Sequence, residues 1–176
     1  MIKPEILYED EDILAINKPA GLIVHPAPQQ AGYGASSDGQ SVSEWFVKHY
    51  PQSKNVGEPI VLARQDLATG GARIERSGVV HRIDRETSGV LLLAKTSKGH
   101  AVLKKQFQDR EIEKIYHAFV QGLVKDERGK INFPIGRSLS DFRKKTAGRR
   151  VRGESREAVT YFEVLKRDPN QGVTLV

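Results

Sequence analysis

Five consecutive apolar residues, "VLLLA" from Val90 to Ala94, bounded by Gly89 and Lys95, constrain this chain more than any other stretch. A continuous run this short between such neighbours reads as a central buried strand. Immediately before it stands "HRIDRETSG", residues 81–89, itself preceded by the apolar "GVV". Five charged or titratable side chains, His81, Arg82, Asp84, Arg85 and Glu86, therefore fill a short connection between two stretches that look buried.

The flanking sequence sets the expected fold class. "EILYEDEDILAINKPAGLIVHP" predicts two short strands, Ile6 to Tyr8 and Ile13 to Ile16, joined by the acidic turn Glu9 to Asp12 and ended by Pro19 and Gly21, hence an antiparallel hairpin. "SVSEWFVKHY" opens with a Ser-x-x-Glu capping box (Ser41, Glu44), sets Val42, Trp45, Phe46 and His49 on one face and meets Pro51, which predicts a helix. "TSKGHAVLKKQFQDR" offers Ser97 as a cap and Leu103 with Phe107 one turn apart, a second amphipathic helix. "IEKIYHAFVQG" alternates, with Lys114, Tyr116, Ala118 and Val120 on one face and Ile115, His117 and Phe119 on the other, so it reads as a strand.

A turn at Lys125 to Gly129, a short strand near Ile131 and an alternating strand in "EAVTYFEVLKR" come later, before the chain stops at the apolar "GVTLV". Strands and helices mix without regular βαβ order. The expected class is α+β, with a mixed, largely antiparallel β-sheet flanked by helices, built as one domain over residues 1–176. Two segments, 27–40 rich in Gly, Ser, Ala and Gln, and 52–77 without a clear period, are expected to be flexible loop insertions.

Charge is concentrated. Residues 137–156, "RSLSDFRKKTAGRRVRGESR", carry eight basic and two acidic side chains, a local +6 that equals the net charge of the whole chain. Such a cationic segment is the electrostatic footprint of a phosphate-backbone partner, because neutralised phosphates release counterions. Arg137, Arg143, Lys144, Lys145, Arg149, Arg150 and Arg152 are its candidate contacts; a solvated loop is the bland alternative.

Several chemistries lose their support. No apolar run approaches the roughly 18 residues of a membrane span, and "MIKPEILYEDED" lacks the basic-then-apolar order of a signal peptide, so a cytoplasmic protein without membrane contact is expected. The absence of cysteine excludes disulfides and thiolate metal sites. The five histidines are scattered at spacings that put no two ligands on one helix face, so no metal is expected. Phosphate-binding glycine loops and the Gly-x-Ser-x-Gly elbow are missing, and "HRID" lacks the Asp directly after Arg that a kinase loop needs.

What remains is Asp84, a carboxylate flanked by arginines on both sides. Neighbouring cations hold such a group ionised at neutral pH, available as nucleophile or base. In the structural alternative Asp84 caps a turn, Arg82 and Glu86 form ion pairs, and residues 87–89 complete the turn.

The block "HRIDRETSG" closely resembles the signature of the RluA-type pseudouridine synthases, His-Arg-Leu-Asp-x-x-Thr-Ser-Gly, with Ile83 in place of Leu. "YEDEDILAINKPAGLIVHP" is similar to the N-terminal motif of that family and "KIYHAFVQG" to its Lys-x-Tyr motif, in the same order. The segment "GRSLSDFRKKTAG…GESREAVTYFEVL" also resembles the region before the family's final motif.

The resemblance implies the pseudouridine synthase catalytic fold and an isomerase that converts specific uridines of ribosomal or transfer RNA to pseudouridine without metal or cofactor, acting as a monomer. It further implies that Asp84 is the catalytic aspartate and that Arg82 enters the RNA where the target base leaves. Tyr116 would pack against the flipped uracil and take part near its C5 proton, and Lys114 would help hold the active-site charges.

One departure stands out. The family's next motif, a Thr-Gly-Arg-Thr-His-Gln-like block whose arginine pairs with the aspartate, is expected shortly after "GVTLV" and is missing, as is an N-terminal S4 RNA-binding domain. The expectation is a C-terminally incomplete catalytic domain. An RNA-binding module with impaired turnover is the alternative.

Overall fold

The computed structural model describes residues 3–26, 41–58, 60–62, 72–74, 76–141, 144–148 and 151–176. The expected hairpin forms from β1 (Glu5–Glu9) and β2 (Ile13–Lys18), paired antiparallel. Asp10 shapes its turn: one carboxylate oxygen accepts from the backbone N–H of Asp12 at 2.8 Å and of Ile13 at 2.7 Å, satisfying donors that a tight reversal would leave open.

Helix α1 (Val42–His49) begins at the capping box, with Ser41 Oγ accepting from the Glu44 N–H and the Glu44 carboxylate accepting from the Ser41 N–H. A 3-10 turn, Pro51–Asn55, follows at once, and β3 (Ile60–Leu62) pairs with β4 (Ala72–Ile74). Segment 52–77, expected to lack regular structure, thus carries a turn anchored by the buried Ser53 and Val56 and a pair of short strands. Residues 27–40 lie outside the described residues.

β5 (Gly89–Ala94) pairs antiparallel with β2, in the sheet order β1-β2-β5. The register sets Leu14 opposite Leu93 and Ile16 opposite Leu91, all wholly buried. Val42, Trp45 and Phe46 of α1 join them in one core with Leu22, Val24, Val79 and Ile83. The alternate residues Ile13, Leu92 and Ala94 meet Val56, Val80 and Leu103, the last from α2 (Ser97–Gln108), in a second cluster. Each wholly buried Leu or Ile contributes about 1.5–3 kcal/mol relative to exposure.

Two expectations about this region change. β5 lies at one end of the three-strand order, with a single bridge, Val79 to Leu93, on its other side among the described residues, and Val90 is 58% exposed. Two packed clusters, rather than strands on both edges, bury the run. The α2 cap is Thr96, not Ser97: its hydroxyl accepts from the Gly99 N–H and donates to Asp12, which ties the helix start to the β1–β2 turn.

The chain, read as one domain, divides into two compact units, Met1–Glu113 and Lys114–Val176. In the second, β6 (Phe119–Gln121), β7 (Arg128–Asn132), β8 (Ile135–Ser138), β9 (Lys145–Ala147), β10 (Val151–Arg156), β11 (Val159–Glu163), β12 (Lys166–Asp168) and β13 (Val173–Leu175) form a sheet ordered β12-β13-β6, a ribbon β11-β7 and a sheet β10-β8-β9. All the pairings between these named strands are antiparallel, and with the two helices the fold is α+β.

The strand expected over residues 112–122 is only three residues long. β13 supplies its partner, and the pairing reaches back just to Ala118, whose N–H and C=O both bond Val176. Upstream of Ala118 no described strand faces the backbone, so alternation alone does not make a strand there.

Candidate active site

The charged connection is a chain return held at both ends. Val79 bridges Leu93, and the His81 Nε2 accepts the Leu92 N–H at 2.9 Å, which puts the ring proton on Nδ1. The His81 ring also stacks on Phe107 of α2, centroids 4.5 Å apart. Ile83, 8% exposed, enters the core, so its neighbours Arg82 and Asp84 point out to solvent. The chain then reverses: the Thr87 N–H donates to the Asp84 carbonyl at 3.2 Å, with Arg85 and Glu86 at the tip. The ion pair there joins Glu86 to Arg85 at 3.3 Å, so Glu86 pairs as the structural alternative supposed, while no ion pair of Arg82 is found among the described residues.

Beneath this turn lies a residue that the motif reading passed over. Lys18 is wholly buried, and its Nζ donates to the carbonyls of Pro19 at 3.0 Å, Leu22 at 2.8 Å and Arg85 at 3.0 Å. Burial pulls its pKa down, opposed by the carboxylates of Glu86 and Asp84. An ammonium taken out of water is tolerable only with its donors satisfied and anionic charge near it. Gly21 reinforces the clamp, donating its N–H to the Arg85 carbonyl at 2.8 Å and accepting from Arg85 Nε at 3.2 Å. At φ +85° Gly21 occupies the left-handed region that favours glycine. One sequence signal marks Lys18: it continues the buried phase of Leu14 and Ile16 at two-residue steps.

His25 is a second overlooked group. Its Nδ1 is buried without a hydrogen-bond partner among the described residues. Burial holds the imidazole below its ordinary pKa, and the cations of Arg82 and Arg76 lower it further.

Lys114 and Tyr116 stand at the start of the second unit, both exposed, Tyr116 at 58%. In the basic segment Arg137, Lys144, Lys145 and Arg152 are exposed, while Arg143, Arg149 and Arg150 lie outside the described residues. Register brings three of these cations into one row: Arg152 of β10 opposes Arg137 of β8, which opposes Lys145 of β9. Directly opposed residues share a face, and like charges so placed repel. Such a row suits a polyanion laid across the strands.

The comparisons with known proteins agree with the motifs. The family described as RNA pseudouridylate synthase matches residues 12–176. An uncharacterized RNA pseudouridine synthase of Aquifex aeolicus is 39% identical over 99% of this chain and 49% of its own length. The ribosomal large subunit pseudouridine synthase D of Pseudomonas aeruginosa is 38% identical over 94% of this chain and 42% of its own. The chain thus spans about half the length of the curated relatives it matches. In fold it is similar to human RNA pseudouridylate synthase domain containing 1, with a TM-score of 0.68 at 18% identity over 98% of this chain and 57% of that one. With three motifs in order, a family match over nearly its whole length and relatives of like sequence, the chain belongs to the RNA pseudouridine synthases of the RluA type.

Proposed function

We propose that the protein isomerises uridine to pseudouridine in ribosomal or transfer RNA, with Asp84 as its catalytic carboxylate. The observation that carries this reading is an exposed aspartate on a turn whose ends are fixed by Ile83 in the core and by the Lys18 clamp beneath. Such a mounting preorganises a reactive group at little further entropic cost.

The reaction breaks the N1–C1′ bond, turns the ring and joins C5 to C1′. It exchanges no electrons and no heavy atoms with the medium, so it requires neither metal nor redox cofactor. C1′ gains positive character as the bond breaks, as in glycoside hydrolysis. Asp84 either adds to that carbon or removes a sugar proton to give a glycal.

Reaching the bond requires extruding the nucleotide, which costs a few kcal/mol. Arg82 fills the space that the base leaves, Tyr116 packs on the uracil near its C5 proton, and Lys114 steadies the local charge. The row Arg152, Arg137 and Lys145, with Lys144, Arg143, Arg149 and Arg150, supplies phosphate contacts that offset the extrusion. The protein works as a monomer in the cytoplasm.

The test is adduct formation with 5-fluorouridine RNA, together with pseudouridine mapping by carbodiimide primer extension. Asp84→Asn should lower product formation by about 10³-fold or more, the scale of removing a nucleophile or proton-transfer group. Product that persists in the variant would exclude Asp84 as the catalyst. RNA binding by the unaltered protein with neither adduct nor product would leave an RNA-binding module in place of an enzyme.

A further inference from the structure

Within the first unit a pocket of about 380 Å³ is lined by Glu58, Arg76, Val80, His100, Lys104 and Phe107. Neither the motifs nor the comparisons assign it a role. Its volume falls in the range of small-molecule sites. The chemistry of its wall is divided: Arg76 and Lys104 are cationic, Glu58 is anionic and His100 polar, while Val80 and Phe107 form an apolar side.

We infer that this pocket is a subsite for a phosphodiester of the RNA strand, with Arg76 and Lys104 binding the phosphate and Val80 and Phe107 packing against the attached sugar. The inference rests on RNA as the partner proposed above.

Among the described residues no carboxylate lies within ion-pair distance of Arg76. Lys104 pairs with Glu58 at 3.1 Å, but the Glu58 side chain is 82% exposed, and an exposed pair of this kind is weak and easily exchanged for another anion. With His100 neutral the three charges sum to an excess of one cation. Burial, then Lys104 and Arg76, lowers the His100 pKa. The imidazole therefore enters the site as a polar group at neutral pH and gains charge only on acidification.

The position of the pocket also fits a continuous strand. Arg82, exposed beside Asp84, and Arg76, which lines the pocket, both lie near enough to His25 to bias it toward its neutral form, and so bracket the way from the turn to the pocket. Phe107 lines the pocket and stacks on His81, the first residue of the signature block. A strand whose base is extruded at Asp84 would meet its next cations along this line.

Binding of a fluorescent single-stranded oligouridylate, measured by anisotropy over a salt series, tests the assignment. The double variant R76Q/K104Q should weaken binding and reduce the slope of log K against log salt by about 0.7, the change for one phosphate contact to a single strand. Glu58→Gln should act in the opposite direction and tighten binding, since it removes the competing anion without truncating a ligand. An opposite shift cannot come from simple unfolding of either variant.

Unchanged slopes in both variants would overturn the subsite. Perturbation of the His100 imidazole resonances by inorganic phosphate, with RNA slopes unmoved, would overturn it too, and would identify a free-phosphate site instead. The catalytic reading fails independently: absence of product with altered slopes would sink the isomerase and keep the subsite, whereas product with unaltered slopes would do the reverse.

Discussion

At the residue scale, the positions that hold Asp84 matter as much as the aspartate. Lys18→Met keeps the volume but leaves the carbonyls of Pro19 and Leu22 without this donor, and that of Arg85 with the Gly21 N–H alone. The loss should cost about 2–4 kcal/mol, several unmade bonds less the relief of not burying a charge. Urea unfolding measures it, and an unchanged midpoint would show that the clamp is replaceable. Gly78 is under tighter constraint: φ is +78°, and an added Cβ would stand 2.1 Å from the Ala94 carbonyl oxygen and 2.9 Å from the Phe46 ring. Gly78→Ala should therefore destabilise the fold by about 3 kcal/mol or more, because both partners belong to the packed core. Alongside His25, whose pKa burial also lowers, His100 gives the pH dependence. Its folded pKa is lowered from 6.5, so the unfolded chain binds the proton more readily. The His100 contribution to stability is full above about pH 6.5 and declines as pH falls through that value toward the folded pKa. Melting temperatures over pH 7 to 5 should fall, and His100→Gln should flatten that decline.

At the element scale, what was legible in the sequence depended on how local the cause was. The α1 capping box is four residues of chemistry, readable from "SVSE", and Ser41→Ala should cost about 1 kcal/mol by thermal unfolding. The β1–β2 hairpin was equally plain, since Asp10 makes its turn from within. The start of α2 moved by one residue because Asp12, far away in sequence, selects the Thr96 hydroxyl. The strand expected over 112–122 shortened because its partner, β13, covers only its end. The basic segment was visible as composition, but the row of Arg152, Arg137 and Lys145 needed the register. That row carries its own expectation. K145Q/R152Q should reduce the salt slope of RNA binding by about 1.4, two single-strand contacts, and raise the stability of the isolated protein slightly by relieving repulsion. A lowered affinity with an unchanged slope would mean that these residues do not touch phosphate.

At the scale of the whole molecule, the two units differ in how much they bury. The first unit contains the wholly buried Leu14, Ile16, Leu91 and Leu93, packed with Val42 and Phe46 of α1 on one face of β2 and β5, and Ala94, packed with Val56 and Leu103 on the other. In the second, Ile115, Phe119 and Tyr161 are each more than 70% exposed, and Thr174, bonded to Gly122 and Val124, is its wholly buried side chain among the described residues. The sequence signalled the first core because its apolar runs are continuous; it could not signal the thinness of the second, where apolar residues alternate correctly yet Ile115, Phe119 and Tyr161 stay exposed among the described residues. Local stability follows buried apolar contact, and amide exchange reports it. Amides of Leu14, Ile16, Leu91 and Leu93 should exchange slowest, and those of β8, β9 and β11 faster by orders of magnitude. Adding RNA should slow exchange in β8 to β10 and around residues 82–87, while β2 and β5, already near the global limit, stay unchanged. Uniform protection across both units would contradict this division. Protection by RNA confined to the first unit would remove the basic strands from the interface and leave the line from Arg82 to Lys104 as the track on which the substrate lies.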